Sequence, residues 1–112
     1  MSSESPIFSQ TYDLLRWLLP LAAKMPREHR NGLARRIPEA AFAFQNALIA
    51  ATKTPAETAY LLSQADIALA ELRLLLRLAR DLQALSFKQY EEGARRSVEI
   101  GRLLGGWLRT LA

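Results

Sequence analysis

The sequence predicts an all-α fold, an up-down-up-down antiparallel four-helix bundle. Three observations point to it. Leu and Ala dominate the apolar set, with Arg and Glu among the charged residues, while aromatics make up only 8% of the chain; this vocabulary suits helices far better than strands. Apolar residues recur at alternating intervals of three and four, the period of one helix face. The breaks between periodic segments are short, so consecutive helices must run antiparallel. At 112 residues there is room for one domain and not two, and 50% hydrophobic residues suffice to bury a core.

Residues 1–8 read as a loosely held, Ser-rich lead, and residues 9–112 as the bundle. The first helix is expected over about 9–24, with Tyr12, Leu15, Leu18 or Leu19, and Ala22 on one face. Pro20 removes a backbone donor and crowds the carbonyl of Arg16, which predicts a kink. Met25-Pro26 ends the helix, because the residue before proline avoids the α region. The second helix is expected over 27–52, with Pro26 close to its start. Leu33, Ile37, Ala40, Phe44, Ala47 and Ala51 step 4-3-4-3-4, and Pro38 within that stripe predicts a kink or a division into two pieces.

Thr54-Pro55-Ala56-Glu57 reads as a capping box that opens the third helix, over 55–83. Its stripe is Leu62, Ala65, Leu69, Leu72, Leu76 and Ala79, a heptad seam. Ser86-Phe87-Lys88-Gln89 is a second capping box and opens the fourth helix, over 87–111. There the expected seam is Phe87, Tyr90, Ala94, Ser97, Gly101, Leu104, Leu108 and Leu111.

A monomeric bundle needs about three apolar positions per heptad. The third helix exceeds this with Leu61, Ala68, Leu75 and Leu82, and again with Leu74 and Leu78; the fourth adds Ile100, Leu103 and Trp107. Such a surplus reads either as a broad core face or as a self-association surface. On the second reading Leu74, Leu78, Ile100, Leu103 and Trp107, with Trp17, are the candidate oligomer interface, the tryptophans serving as anchors. Gly101 and Gly105 lie four apart and read as a close approach, within the bundle or between subunits.

Several chemistries fall away. There is no cysteine, hence no disulfide scaffold and no thiol catalysis. The single histidine, His29, sits at a helix start beside Glu28 and Arg30 and reads as a surface or capping residue. No Glu-x-x-His pair occurs, so the di-iron bundle site is excluded. The carboxylates are scattered at positions that read as solvated, so no catalytic residues, cofactor or metal are expected. The apolar run from Trp17 to Ala23 is far below the roughly 20 residues of a membrane span, and no basic segment precedes an apolar one. The expected compartment is the cytoplasm.

The basic residues carry the functional signal. Net charge is +4, with twelve Arg and three Lys, and the pI is near 10.0, which favours acidic partners. Lys88, Arg95, Arg102 and Arg109, seven apart, form one stripe on the fourth helix. Arg73, Arg77 and Arg80 form another on the third. Arg27, Arg30, Arg35 and Arg36 crowd the start of the second and are candidate contacts for a partner or for nucleic acid. Arg77 to Asp81, Arg35 to Glu39, and Arg95 to Glu91 or Glu99 are spaced for ion pairs, so each stripe reads either as a solvated face or as a polyanion surface. Aromatic residues are not interleaved with the cations, so backbone-directed contact with RNA or DNA is the expected mode.

Three stretches carry a resemblance. They are Leu72-Arg73-Leu74-Leu75-Leu76-Arg77-Leu78-Ala79-Arg80-Asp81-Leu82, then Leu85-Ser86-Phe87-Lys88-Gln89-Tyr90, then Glu99-Ile100-Gly101-Arg102-Leu103-Leu104-Gly105-Gly106-Trp107-Leu108. Together with Tyr12-Asp13-Leu14-Leu15-Arg16-Trp17-Leu18-Leu19-Pro20 and Met25 to Arg30, the chain resembles the accessory variability determinant (Avd) proteins of diversity-generating retroelements. Asn31 departs from the family pattern, which has an apolar or aromatic residue there. The resemblance implies a basic homopentameric barrel of four-helix protomers. It implies a non-enzymatic partner of a reverse transcriptase that uses template RNA to make mutagenized cDNA, in a bacterial or phage-encoded setting. Bundles encoded by intervening sequences of ribosomal-RNA genes are the competing assignment: basic RNA-binding proteins acting without a polymerase.

Overall fold

In the computed structural model, which describes residues 5–111, four helices follow one another: α1 Pro6–Ala23, α2 Leu33–Lys53, α3 Thr58–Asp81 and α4 Phe87–Arg109. Two short 3-10 turns, Arg27–His29 and Pro55–Glu57, precede α2 and α3. No strand occurs among the described residues. α1 packs on α2, α2 on α3, α3 on α4, and α4 returns to α1, while the diagonal pairs do not meet. The result is a square bundle of 43 × 23 × 21 Å, somewhat longer than its longest helix, whose 24 residues span about 36 Å at about 1.5 Å per residue.

Helix α1 begins earlier than the sequence suggested. Pro6 supplies a first position that needs no backbone donor, and Ile7 enters the core at 1% exposure. Residues 6–8 are therefore not part of a lead; residues 1–4 lie outside the described residues. Both internal prolines are carried without a break, Pro20 within α1 and Pro38 within α2. Each forfeits one backbone bond, an effect on the order of 3 kcal/mol. Burial of the residues before and after each proline along its helix offsets this: Leu14, Leu15, Leu18 and Ala22 in α1, and Leu33, Ile37, Ala40, Ala41 and Phe44 in α2 are all buried. Tyr12 is exposed instead of facing the core.

The start of α3 differs from expectation. The Thr54 side chain makes no cap bond, because Pro55–Glu57 form a 3-10 turn in which the Glu57 amide donates to the Thr54 carbonyl. Pro55 at the first position commits the chain to that tighter turn, and α3 proper starts at Thr58. The Thr58 hydroxyl shares its one proton between the carbonyls of Ala51 (3.0 Å) and Pro55 (3.1 Å), tying the α2–α3 corner together. At α4 the expected box is present: the Gln89 amide donates to Ser86 Oγ (3.1 Å) and the Ser86 amide to Gln89 Oε1 (2.9 Å). Ser86→Ala should therefore cost about 1 kcal/mol, as a lost cap does, whereas Thr54→Ala should be nearly silent. Paired urea denaturation curves check this, and equal shifts for the two variants would refute the assignment.

α3 ends in a left-handed residue that is not glycine. Gln83 has φ 62°, and the Ala84 amide reaches back to the Ala79 carbonyl at 2.8 Å, the long bond of a Schellman ending. Leu85, 4% exposed, folds over this end.

The core joins all four helices. The expected α3 stripe is buried at every position, and Ala68 widens it. On α4 the buried line is Gly93, Ser97, Ile100, Leu104 and Trp107, which shares Ser97 and Leu104 with the expected seam and adds Gly93, Ile100 and Trp107 beside it; Phe87 and Leu111 are exposed. α4 has to face α1 as well as α3, which rotates its packing line toward α1. Gly93 is where this matters. A Cβ there would stand 3.0 Å from Leu76 Cδ1 and 3.4 Å from the Trp17 ring, whereas one at Gly101 would meet only ordinary packing against Leu69. The close approach is thus at Gly93, within the bundle. The two buried polar side chains are satisfied locally, Thr11 donating to the Ile7 carbonyl (2.6 Å) and Ser97 to that of Gly93 (2.7 Å).

Candidate nucleic-acid interface

The surplus apolar residues divide by where the helices turn them. Leu61, Leu75 and Leu103 pack against the core while partly exposed. Ile100 and Trp107, expected at an oligomer interface, are 0% and 6% exposed and belong to the protomer's own core. Trp107 lies 6.3 Å from the Phe8 ring, and Trp17 packs against Gly93 beneath the Arg96 guanidinium at 5.5 Å. The two tryptophans thus close α1 onto α4 at opposite ends of the pair. Leu74 and Leu78 remain exposed, with Tyr60, Ile67 and Leu82. Spacings of 7, 7, 4 and 4 hold these five on one outward face of α3.

Three basic sets lie on this frame. On α4, Arg95 and Arg102 are exposed, but each is held by a glutamate three residues earlier. Arg95 donates to both carboxylate oxygens of Glu92, from Nη2 at 2.8 and 2.6 Å, and Arg102 donates to Glu99. Arg95 takes neither Glu91 nor Glu99, the partners four residues away that the spacing offered. The hydrogen bond from Arg95 holds the Glu92 carboxyl below its usual range, and that from Arg102 does the same for Glu99. In return both guanidinium groups are held more firmly protonated. With the folded values depressed, whatever these pairs add to stability is present above the unfolded carboxylate pKa of about 4.3 and is lost as pH falls through the folded value. The centre of the α4 stripe is therefore charge-compensated along its own helix.

The α3 stripe is arranged differently. Arg80, and not Arg77, takes Asp81, at 3.0 and 2.8 Å. Its guanidinium also lies 4.5 Å from the centroid of the Tyr90 ring on α4. Arg73 and Arg77 are exposed, and among the described residues neither has a carboxylate within ion-pair distance. With Ala70, Leu74 and Tyr90 they line a groove of about 320 Å³ between α3 and α4. The sequence held no signal for Tyr90 in this role, since it is thirteen residues from Arg77 and on another helix.

At the start of α2 the four arginines separate. Arg35 and Arg36 bracket Glu39, at 3.6 and 3.9 Å, and Arg36 reaches Glu71 of α3 at 3.0 Å. Arg27 and Arg30 line a second groove, of about 330 Å³, with Ala22, Ala23, Met25 and Ala34. Arg96, which sequence reasoning passed over, shares Glu92 with Arg95 (3.5 Å) and leaves its buried Nε without a hydrogen bond. No cluster of three or more metal-ligating side chains occurs among the described residues. Among the described residues no helix is long and apolar enough to cross a membrane.

The bAvd-like family matches this chain over residues 6–111, all four helices together. The chain belongs to the bAvd-like family. Curated proteins give no match. In this bAvd-like chain, the uncompensated cations at the α3–α4 groove and at the turn before α2 are among the sites with charge to spare for an anion. The Lys88–Arg109 line on α4 presents its positive ends around two internally satisfied pairs.

Proposed function

We propose that this chain is the non-enzymatic accessory protein of a diversity-generating retroelement. It forms a basic homo-oligomer, five-membered by family likeness, which binds the reverse transcriptase and the template RNA or its cDNA. It thereby supports mutagenic cDNA synthesis and retrohoming, the polymerase supplying all the chemistry. The observation that carries this reading is the family match across the whole bundle. The surface fits the role. Exposed guanidinium groups neutralise phosphates and release counterions without reading bases. Repetition of the same face around an oligomer multiplies the local field.

Co-expression with the reverse transcriptase of a diversity-generating retroelement tests the reading directly. The tagged chain is expected to retain the enzyme through washing at moderate salt, and cDNA made from the template RNA should fall sharply when the chain is omitted. A chain that binds RNA yet never retains the polymerase, with cDNA yield indifferent to its presence, would sink the proposal. That outcome would favour the ribosomal intervening-sequence type of bundle.

A further inference from the structure

We propose that the α3–α4 groove seats one nucleotide of a single strand, with the phosphate on Arg73 and Arg77 and the base against Tyr90. This deepens the nucleic-acid part of the function proposed above and rests on it.

Three features converge on the groove. Arg73 and Arg77 stand one helical turn apart with no ion pair among the described residues, while Arg35, Arg36, Arg80, Arg95, Arg96 and Arg102 each have one. Their forked guanidinium groups are free to take phosphate oxygens bidentately. Tyr90 is held in place before any ligand arrives, since Arg80 stacks on it and is itself fixed by Asp81. Ala70 and Leu74 supply apolar wall. The groove volume is at the small end of the roughly 300–1,000 Å³ typical of ligand pockets, which suits one unit of a polymer better than a large free ligand.

Strand selectivity follows from the tyrosine. An aromatic ring offers every base a stacking partner, but only a base that has left its neighbours can reach it. A duplex keeps its bases paired and presents phosphate alone. The groove adjoins the outward apolar face and shares Leu74 with it. Arg80 and Tyr90 mark the α4 flank of α3, the Arg36–Glu71 pair marks the α2 flank, and Leu74 stands between them. The strand seat and the apolar stripe therefore adjoin and overlap at Leu74.

The test is a titration of the full chain with a labelled 12-nucleotide single strand and with the matching 12-base-pair duplex, across a range of salt. Tyr90→Leu should weaken single-strand binding about tenfold and leave duplex binding within twofold, while Tyr90→Phe keeps the parent affinity. Arg73→Ala with Arg77→Ala should flatten the single-strand salt slope by about 0.7, the value for the one phosphate no longer neutralised. Ala70→Glu, at an exposed position on the groove wall, should abolish single-strand binding without depending on how Tyr90 packs. An unchanged single-strand affinity in Tyr90→Leu, or an equal loss on both probes, overturns the proposal. So does a loss confined to Arg95→Ala with Arg102→Ala, which would move the strand to the outward face of α4 and leave the accessory-protein reading standing. Conversely, strand binding through Tyr90 in a chain that never retains a polymerase keeps the groove and removes the accessory role.

Discussion

Ile100→Ala should destabilise the protomer by about 2–5 kcal/mol, the range for truncating a fully buried aliphatic side chain. Ile100 has no exposed surface and sits on the α4 line that faces both neighbouring helices. Its removal leaves a cavity where α4 meets the common core. The denaturant midpoint should fall with little change in slope, measured at fixed protomer concentration because assembly shifts apparent stability. The melting midpoint should drop on the order of 10 °C. A variant that keeps the parent's midpoint and loses only its oligomeric mass would show instead that Ile100 serves an interface.

Leu74→Glu with Leu78→Glu should do the reverse: leave the helical signal and the protomer's fold intact and reduce the particle to the 12.6 kDa chain. Tyr60, Ile67, Leu74 and Leu82 are each more than half exposed, and Leu78 is 46% exposed. An apolar row of that length on one helix marks an interaction surface. Further exposed side chains, Tyr12 on α1 with Phe42 and Ile49 on α2, lie on other faces, and α1 is the helix that α3 does not touch. Two different apolar patches on different corners suit a head-to-tail association that repeats from copy to copy, and such interfaces close into rings when the rotation allows. Light scattering should give the parent a mass that is a multiple of the chain, five by family likeness. A parent that is monomeric at micromolar concentration, or a double variant that keeps the parent's mass, would remove the α3 row as the interface.

Helix starts show how far local chemistry reaches. Ser86 and Gln89 close their box because both partners lie within one turn and nothing outside competes. Thr54 and Glu57 have a matching pattern, yet the chain turns more tightly at Pro55, and Thr58 takes over by bonding to Ala51 on the preceding helix. That bond exists only once α2 and α3 are packed. Gln83 is a similar case: a left-handed helix end without glycine is set by the corner it must turn, with Leu85 buried over it.

The candidate site divides along the same line. Spacing identified every member of the three basic sets, because the positions of residues on a helix follow from its period. It did not identify which cations are free. The choice of Glu92 over Glu91 or Glu99 by Arg95, and of Asp81 by Arg80 instead of Arg77, depends on side-chain rotamers and on the neighbouring helix.

By itself the sequence determined the helical class, the number of helices, the antiparallel order, the basic character and the family likeness. The first three rest on local propensity, period and short connections, the fourth on composition, and the last on the particular residues that carry the resemblance. Only the tertiary structure decided the rotation of each helix about its axis. That rotation put Ile100 and Trp107 inside, left Leu74 and Leu78 outside, and brought Tyr90 beside Arg73 and Arg77. A helix with apolar residues on several sides is compatible with several rotations, and packing against two neighbours at once selects one of them.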